Sequence, residues 1–177
     1  MTYSNVASGA PILASTINDL IKYGPAKRVC QLEEQTTGTN LPSGTATDIP
    51  FGTGSEVFDD DNWHSTTTNN TRVTPTTAGR YKVIARGVIA ANQTTTAVNT
   101  FISLNGTIIA RQGNHKPNGT NNIATFCPEV ITYVTMNGTT DYITMGLQQT
   151  STAAAAQTTN VSSSGRSTLI VELGRAA

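Results

Sequence analysis

The chain has 177 residues, only 12% of them charged, and its 11 Lys and Arg balance its 11 Asp and Glu. This length suits one domain with a short appendage and is long enough to bury a sizeable core. A formal net charge of zero excludes nucleic acid and anionic membranes as partners attracted by bulk charge. A composition rich in Thr and Asn favours strands and turns over helices.

Residues 1–24 differ from the rest of the chain and are predicted to form an N-terminal arm. The arm contains a short amphipathic helix of about three turns, which ends at Gly24-Pro25. A helix this short is marginal on its own. It therefore packs either on its own domain or on a neighbouring subunit or larger assembly. The four side chains on its apolar face are Leu13, Ile17, Leu20 and Ile21.

Residues 25–177 carry strand and turn signals throughout and predict a single all-β domain. No repeat has the period of a propeller blade. We therefore expect about eight to ten antiparallel strands in a jelly-roll sandwich without an internal helix. The expected strands span 28–34, 47–51, 56–58, 80–89, 98–104, 107–111, 123–136, 141–148 and 166–173. The expected loops span 35–44, 91–96, 112–122 and 150–164.

Two Asn-Gly pairs mark the expected hairpins. Asn105-Gly106 joins the strands 98–104 and 107–111, and Asn137-Gly138 joins 123–136 to 141–148. Asn-Gly is a strong signal for a tight turn between two antiparallel strands. The sequence therefore predicts that each pair of strands lies side by side in one sheet.

The strand 80–89 is apolar on both faces. One row includes Tyr81 and Val83, and the other carries Ile84 and Val88. An antiparallel strand ordinarily leaves one face in water. We therefore expect part of the second row to meet a partner chain. The subunit contacts predicted along this strand are Tyr81, Val83, Ile84 and Val88.

No residue pattern in the chain predicts a catalytic or metal site. The segment 59–62 (Asp-Asp-Asp-Asn) lacks calcium-loop spacing and a distal Glu, so we interpret it as an acidic turn. His64 lies near these acids and Ser65, but no nucleophile-elbow motif is present, and we expect no enzymatic activity and no cofactor. The single tryptophan, Trp63, is a candidate ligand contact that could stack on a sugar, an interface anchor, or a partly buried loop anchor.

The two cysteines and the first residues of the chain indicate in which compartment the protein is made. Cys30 and Cys127 have no closely spaced Cys or His partners, so we expect no zinc site. We interpret them as two buried thiols, with one long-range disulfide as the alternative. Residues 1–5 lack the basic start and apolar run of a signal peptide. No stretch approaches the roughly 20 apolar residues of a membrane helix. We expect a protein made in a cytosol or exported by other means.

Several short motifs occur in an order that resembles the complement globular-head and tumour-necrosis-factor-like jelly-roll superfamily, over residues 29–173. They are Phe58-Asp59, Arg72-Val73-Thr74-Pro75, Ala78-Gly79-Arg80-Tyr81-Lys82-Val83, Ile102-Ser103-Leu104-Asn105-Gly106-Thr107, and the segments 134–143 and 167–173. Two departures from the pattern are Val73, where an aromatic is common, and a displaced Asp141. The resemblance implies a compact homotrimer packed around a three-fold axis through one sheet, with the strand 80–89 beside the axis.

The arm is similar, more loosely, to the leading segments of bacteriophage fibre and decoration proteins, through the stretch 13–18. This implies a virion structural protein, made in the host cytoplasm and displayed on the virion surface. The favoured interpretation is a trimeric capsid decoration or cement protein. Its arm would dock on the major capsid protein or other virion subunits through Leu13, Ile17, Leu20 and Ile21.

The alternative interpretation is a tail-fibre or spike head that binds host-surface glycans. The loops 91–96, 112–122 and 150–164 would then carry the binding surface. A secreted cytokine-like ligand is a third interpretation, and the missing export signal argues against it.

Overall fold

The computed structural model describes residues 28–35, 38–90, 95–115, 125–126, 128–161 and 165–176. The predicted N-terminal arm, with its four apolar side chains, lies outside these residues, and so does Cys127. The described part of the chain contains strands and turns and no helix, as the composition predicts.

Thirteen strands are found in the described residues, and most of them belong to two antiparallel sheets. The strands are β1 (Val29–Glu33), β2 (Asn40–Leu41), β3 (Thr47–Asp48), β4 (Glu56–Asp59), β5 (Gly79–Arg86), β6 (Ile89–Ala90), β7 (Thr95–Leu104), β8 (Thr107–His115), β9 (Thr125–Phe126), β10 (Glu129–Met136), β11 (Ile143–Ser151), β12 (Gln157–Thr158) and β13 (Thr168–Ala176). One sheet has five strands in the order β10-β5-β13-β1-β4, and the other has four in the order β3-β11-β7-β8. The pairs β12-β2 and β6-β9 each form a separate two-stranded sheet. The predicted all-β sandwich is confirmed.

The core lies between the two sheets, and the strands of the five-stranded sheet contribute to it by alternation. In β13, Leu169 and Val171 are fully buried, while in β1 the buried positions are Cys30 and Leu32. Successive side chains of a strand point to opposite faces, so β1 and β13 contribute every second residue to the core. Each large apolar side chain enclosed in this way contributes about 1.5–3 kcal/mol.

The turn at Asn105-Gly106 is a confirmed hairpin between β7 and β8. Both residues have positive φ, 52° and 80°. Positive φ at both central residues is the geometry of a type I′ turn, which matches the twist of the strands on either side. β8 runs on to His115, so the first residues of the predicted loop 112–122 belong to a strand instead.

The strand predicted at 80–89 is shorter than expected. β5 ends at Arg86, and a separate strand, β6, begins at Ile89. Gly87 lies between them, and a Cβ atom at this position would overlap the side chain of Leu147 on the other sheet. The backbone therefore bends toward the opposite sheet here, and Val88 is fully buried.

The predicted hairpin at Asn137-Gly138 is wrong. β10 belongs to the five-stranded sheet and β11 to the four-stranded sheet, so the connection 137–142 crosses from one sheet to the other. The turn chemistry of Asn137-Gly138 indicated a reversal of the chain, but no local signal indicates which sheet receives the next strand.

The predicted loops 35–44 and 150–164 contain a short strand pair, β2 with β12. Polar side chains hold the pair together. Gln149 Nε2 donates to the carbonyl oxygens of Leu41 at 3.0 Å and Ala155 at 2.9 Å. Thr159 Oγ1 donates to the carboxylate of Glu34 at 2.6 Å. A pair built on buried polar groups has no apolar alternation, so the sequence pattern missed it.

Candidate functional site on the five-stranded sheet

An apolar row crosses the outer face of the five-stranded sheet. Ile131 on β10 lies opposite Ile84 on β5, and Ile84 lies opposite Ile170 on β13. The row continues through Gln31 on β1 to Phe58 on β4. Side chains directly opposite each other on one face of a sheet are in contact range. The outer row, as we call these five residues, therefore runs from one edge strand to the other.

The outer row is open to solvent at both ends. Phe58 is 58% exposed and Ile131 is 51% exposed, while Ile84 and Ile170 are half-buried between their neighbours. Single exposed apolar residues are normal on protein surfaces. Three isoleucines in register on adjacent strands form a contiguous apolar patch instead, and this makes the patch a candidate interaction surface.

Two rows that carry opposite charges side by side flank the outer row. The members of the first are Glu129, Arg86, Thr168 and Glu33. The members of the second are Tyr133, Lys82, Glu172 and Val29. An apolar strip with a polar and charged rim has the anatomy of a protein interface.

The flanking rows also carry two specific contacts. The guanidinium of Arg80 lies 5.2 Å from the ring centre of Tyr133, whose side chain is 59% exposed. Arg166 Nη1 lies 3.7 Å from a carboxylate oxygen of Glu33. Both contacts hold long side chains in place at the surface, so the rim is partly ordered before any partner binds.

The structure places the four predicted subunit contacts on different sides of the sheet. Ile84 lies on the outer face, within the outer row. Tyr81, Val83 and Val88 have no exposed surface and belong to the core. Tyr81 and Val83 occupy the inner row of β5, and Val88 follows the bend at Gly87. Their side chains therefore offer no contact area to a partner subunit.

The outer row was missed by the sequence pattern, except for Ile84. Ile131 and Ile170 each stand at an outward position of an alternating strand. A single exposed isoleucine carries no signal by itself. The row emerges from the register that pairs β10, β5 and β13, and this register depends on contacts between distant parts of the chain.

Trp63 is a core anchor in this structure and not a stacking surface. Its side chain is 2% exposed, and its ring packs edge-on against Tyr81 with 5.6 Å between ring centres. The carboxylate of Asp59 accepts hydrogen bonds from the backbone N–H groups of Trp63 at 2.9 Å and His64 at 2.8 Å. Of the three interpretations of Trp63, the structure supports the loop anchor, more deeply buried than expected.

The acidic segment 59–62 forms a turn. Asn62 adopts a left-handed φ of 54°, which suits Asn in a tight reversal. Among the described residues, no group of three His, Cys, Asp or Glu side chains is placed to hold a metal ion.

Within the same residues, the structure contains no helix with the length and apolar character needed to cross a bilayer.

Cys30 is a buried free thiol on the inner face of β1. Burial raises the pKa of this thiol far above its ordinary value, and the nearby carboxylate of Asp59 raises the pKa further. A thiol held in its neutral form is a poor nucleophile. The described geometry gives Cys30 a packing role and no reactive one.

Comparison with known proteins identifies solved structures that have a similar fold. No family model matches the sequence, and no curated protein matches it significantly. The structure of murine APRIL at pH 5.0 is similar with a TM-score of 0.59 at 14% identity, over 83% of this chain and 99% of that one. The globular domain of zebrafish complement 1qA gives 0.60 at 7% identity, over 85% and 100%. Eiger TNF from S. frugiperda gives 0.58 at 9% identity, over 85% and 95%. At these identities the likeness establishes the fold alone, a jelly roll of the kind seen in tumour-necrosis-factor and complement 1q domains.

Proposed function

We propose that this chain is a non-enzymatic structural protein that works as a homotrimer, with its subunits packed through the outer face of the five-stranded sheet. The observation that supports this best is the register of Ile131, Ile84 and Ile170 in the outer row. Removing a large apolar side chain from water contributes about 1.5–3 kcal/mol. The resemblance of the sequence to the jelly-roll superfamily implies the three-fold arrangement.

The charged rows support a specific contact over a non-specific one. Glu129 lies beside Arg86, and Lys82 lies beside Glu172. Alternating charges reward one alignment of the subunits and penalise others, since like charges brought together cost free energy. The apolar row supplies affinity, and its rim supplies orientation.

We further propose that the trimer decorates a virus capsid and that residues 1–24 dock it on the major capsid protein or other virion subunits. The sequence pattern of the arm supports this step, with Leu13, Ile17, Leu20 and Ile21 on one face of a helix. A trimer that binds the assembled shell and bridges its subunits stabilises the shell by mass action. The protein would be made in the host cytoplasm and reside on the virion surface.

The test has two parts. Light scattering on the purified chain measures the mass of the particle, and three copies are expected at about 10 μM, a concentration well above the dissociation constant of a stable assembly. A monomer at that concentration contradicts the proposal. Imaging of intact virus particles then locates the protein. High copy number on the head lattice supports decoration, whereas low copy number at the tail tip supports the fibre-head alternative and overturns decoration.

Deleting residues 1–24 separates docking from assembly. The truncated chain should remain a folded trimer and lose its binding to particles that lack the protein. A truncated trimer that still binds those particles removes the docking role from the arm.

A further inference from the structure

A polar cleft of about 470 Å³ opens at one end of the sandwich, away from the outer row. One wall is the loop 62–74, which leads into β5. The other is the segment 139–142, which leads into β11. This volume falls in the range of small-ligand sites, about 300–1,000 Å³. The outer row contributes no residue to the cleft.

The first wall is fixed by hydrogen bonds that do not involve a ligand. Both ring nitrogens of His64 lie 2.9 Å from carbonyl oxygens, those of Arg72 and Phe51. The backbone N–H of Thr74 donates to the carbonyl oxygen of Trp63 at 2.7 Å. These contacts connect the two halves of the loop, and the side chains that line the cleft are therefore held at fixed positions.

The second wall is fixed in the same way. Asn137 Oδ1 accepts hydrogen bonds from the backbone N–H groups of Thr139 and Thr140, both at 2.9 Å. Asn105 Oδ1 accepts from the backbone N–H of Tyr142 at 3.0 Å. A site whose walls are ordered in advance loses little conformational entropy when a ligand binds. The cleft is therefore preorganised.

Arg72 gives the cleft a positive group that the protein leaves available. The Cζ atom of its guanidinium lies over the ring of Tyr142, 4.0 Å from the ring centre. Within the described residues this guanidinium forms no ion pair and no hydrogen bond. Its charge does reach the carboxyl of Asp48, where burial raises the pKa and Arg72 opposes that shift. The contact with the ring holds the guanidinium in place without using its N–H groups, so these groups remain able to donate hydrogen bonds. A planar carboxylate matches the edge of a guanidinium through two parallel hydrogen bonds.

The rest of the lining suits a ligand with many hydroxyl groups. Beyond Arg72 and Tyr142, the accessible lining consists of side chains that both donate and accept hydrogen bonds. They are Asn62, Ser65, Thr68, Asn69, Thr139 and Thr140. A lining of this kind offers hydrogen-bond partners to hydroxyl groups spaced around a ring.

We propose that this cleft binds a carbohydrate that carries a carboxylate, with the carboxylate on the edge of Arg72 and the sugar hydroxyls on the hydroxyl and amide side chains of the two walls. The inference goes beyond the structural role proposed above and does not rest on it. A phosphate ligand fits less well, because Arg72 is the only Lys or Arg side chain among the lining residues. The ring nitrogens of His64, which also lines the cleft, both face carbonyl oxygens of the protein.

Calorimetric titration of the full chain with sodium glucuronate tests the proposal, with glucose, acetate and inorganic phosphate as comparison probes. We expect saturable binding of glucuronate with a dissociation constant of about 1 mM or below. Glucose lacks the carboxylate and acetate lacks the hydroxyls, so each should bind at least about tenfold more weakly, a difference of roughly 1.4 kcal/mol. Acetate or phosphate binding as tightly as glucuronate overturns the assignment, and so does the absence of saturable binding of glucuronate.

Variants locate the binding. Arg72→Gln should weaken glucuronate binding at least about tenfold, and Arg72→Lys should weaken it too, because an ammonium lacks the planar edge. Arg111→Gln is the matched control, since Arg111 is exposed on β8, outside the cleft, and it should leave the affinity unchanged. Equal affinities in Arg72→Gln and the unmodified chain place the ligand elsewhere and overturn the proposal. If circular dichroism shows that Arg72→Gln does not fold, the comparison of glucuronate with acetate and glucose decides alone.

Discussion

Ile84 on β5 stands directly opposite Ile131 on β10, with both side chains on the outer face of the five-stranded sheet. The relationship is specific, because a shift of one residue in the β5–β10 register would place one of them in the core. The sheet covers these two side chains from one side only, so their outer side contacts either water or a partner. This is why the pair offers a sharp test of the proposed trimer.

Replacing Ile131 or Ile84 with Asp should dissociate the trimer and leave the subunit folded. A charged group in the centre of a desolvated contact costs several kcal/mol of binding free energy. The dissociation constant of the assembly should rise about tenfold for each 1.4 kcal/mol lost. Sedimentation velocity measures the change in mass, and circular dichroism checks the fold. Ile131→Asp is the cleaner variant, since Ile131 is already 51% exposed in the subunit.

Ile109→Asp provides the control for that experiment. Ile109 is 40% exposed on β8, an edge strand of the other sheet. It should leave the trimer intact, because the proposal places no subunit contact there. If Ile109→Asp dissociates the assembly while Ile131→Asp does not, the four-stranded sheet carries the interface and the outer row does not.

Tyr81→Phe should lower the free energy of unfolding by about 1 kcal/mol at neutral pH. The hydroxyl of Tyr81 donates to the carbonyl oxygen of Thr77 at 2.5 Å, and the variant leaves that acceptor without its partner. The ring itself stays in place against Trp63, so no cavity adds to the loss. Urea unfolding of both proteins measures the difference.

The same pair of proteins gives a pH dependence with a definite sign. Burial raises the pKa of Tyr81 to about 12 from 10.0, with a smaller upward contribution from Asp61 opposed by Arg28. A group with a raised pKa in the folded state contributes stability below its unfolded pKa and loses it as the pH rises through the folded value. The advantage of the unmodified chain over Tyr81→Phe should therefore shrink between pH 10 and pH 12. An advantage that grows over this interval contradicts the assigned environment of the hydroxyl.

Much of the fold was predictable from local patterns, and particular residues show why. Leu169, Val171 and Leu173 recur at every second position, which identified β13 and its inner face. Asn105 and Gly106 identified a tight hairpin, and their φ values in the structure are those of a type I′ turn. These features depend only on neighbours in sequence, so the sequence alone contains them.

The rest depended on contacts between distant residues. The end of β5 after Arg86 follows from the close approach of Gly87 to Leu147, which lies sixty positions away on the other sheet. The row formed by Ile84, Ile131 and Ile170 follows from strand register. In the polar cleft, Arg72 meets Tyr142 only once the fold has formed. A pattern read along one strand holds no information about such pairings.

Cys30 should resist alkylation in the native protein at pH 8 and react readily once the chain is unfolded. Burial and the carboxylate of Asp59 hold its pKa well above the ordinary value of 9.0, so the reactive thiolate is scarce in the folded state. Iodoacetamide labelling followed by peptide mapping reports on Cys30 separately from Cys127. The guanidinium-unfolded chain is the positive control, and rapid labelling of Cys30 in the native chain contradicts its burial.

Gly87→Ala should lower the free energy of unfolding by about 1–3 kcal/mol, as expected for a methyl group forced into a packed core. The added Cβ atom would overlap the side chain of Leu147 and lie within 2.6 Å of Thr100 Oγ1. Thr100 Oγ1 donates to the carbonyl oxygen of Pro128 at 2.8 Å, so a shift of Thr100 would disturb a buried hydrogen bond as well. Gly52→Ala is the matched control, because a Cβ atom at Gly52 meets no atom within 4 Å. Urea unfolding of the two variants should show a large loss in the first and a change within about 0.5 kcal/mol in the second. Equal stabilities would mean that β5 and β6 are not bent against the opposite sheet at Gly87, and the burial of Val88 would then need another cause.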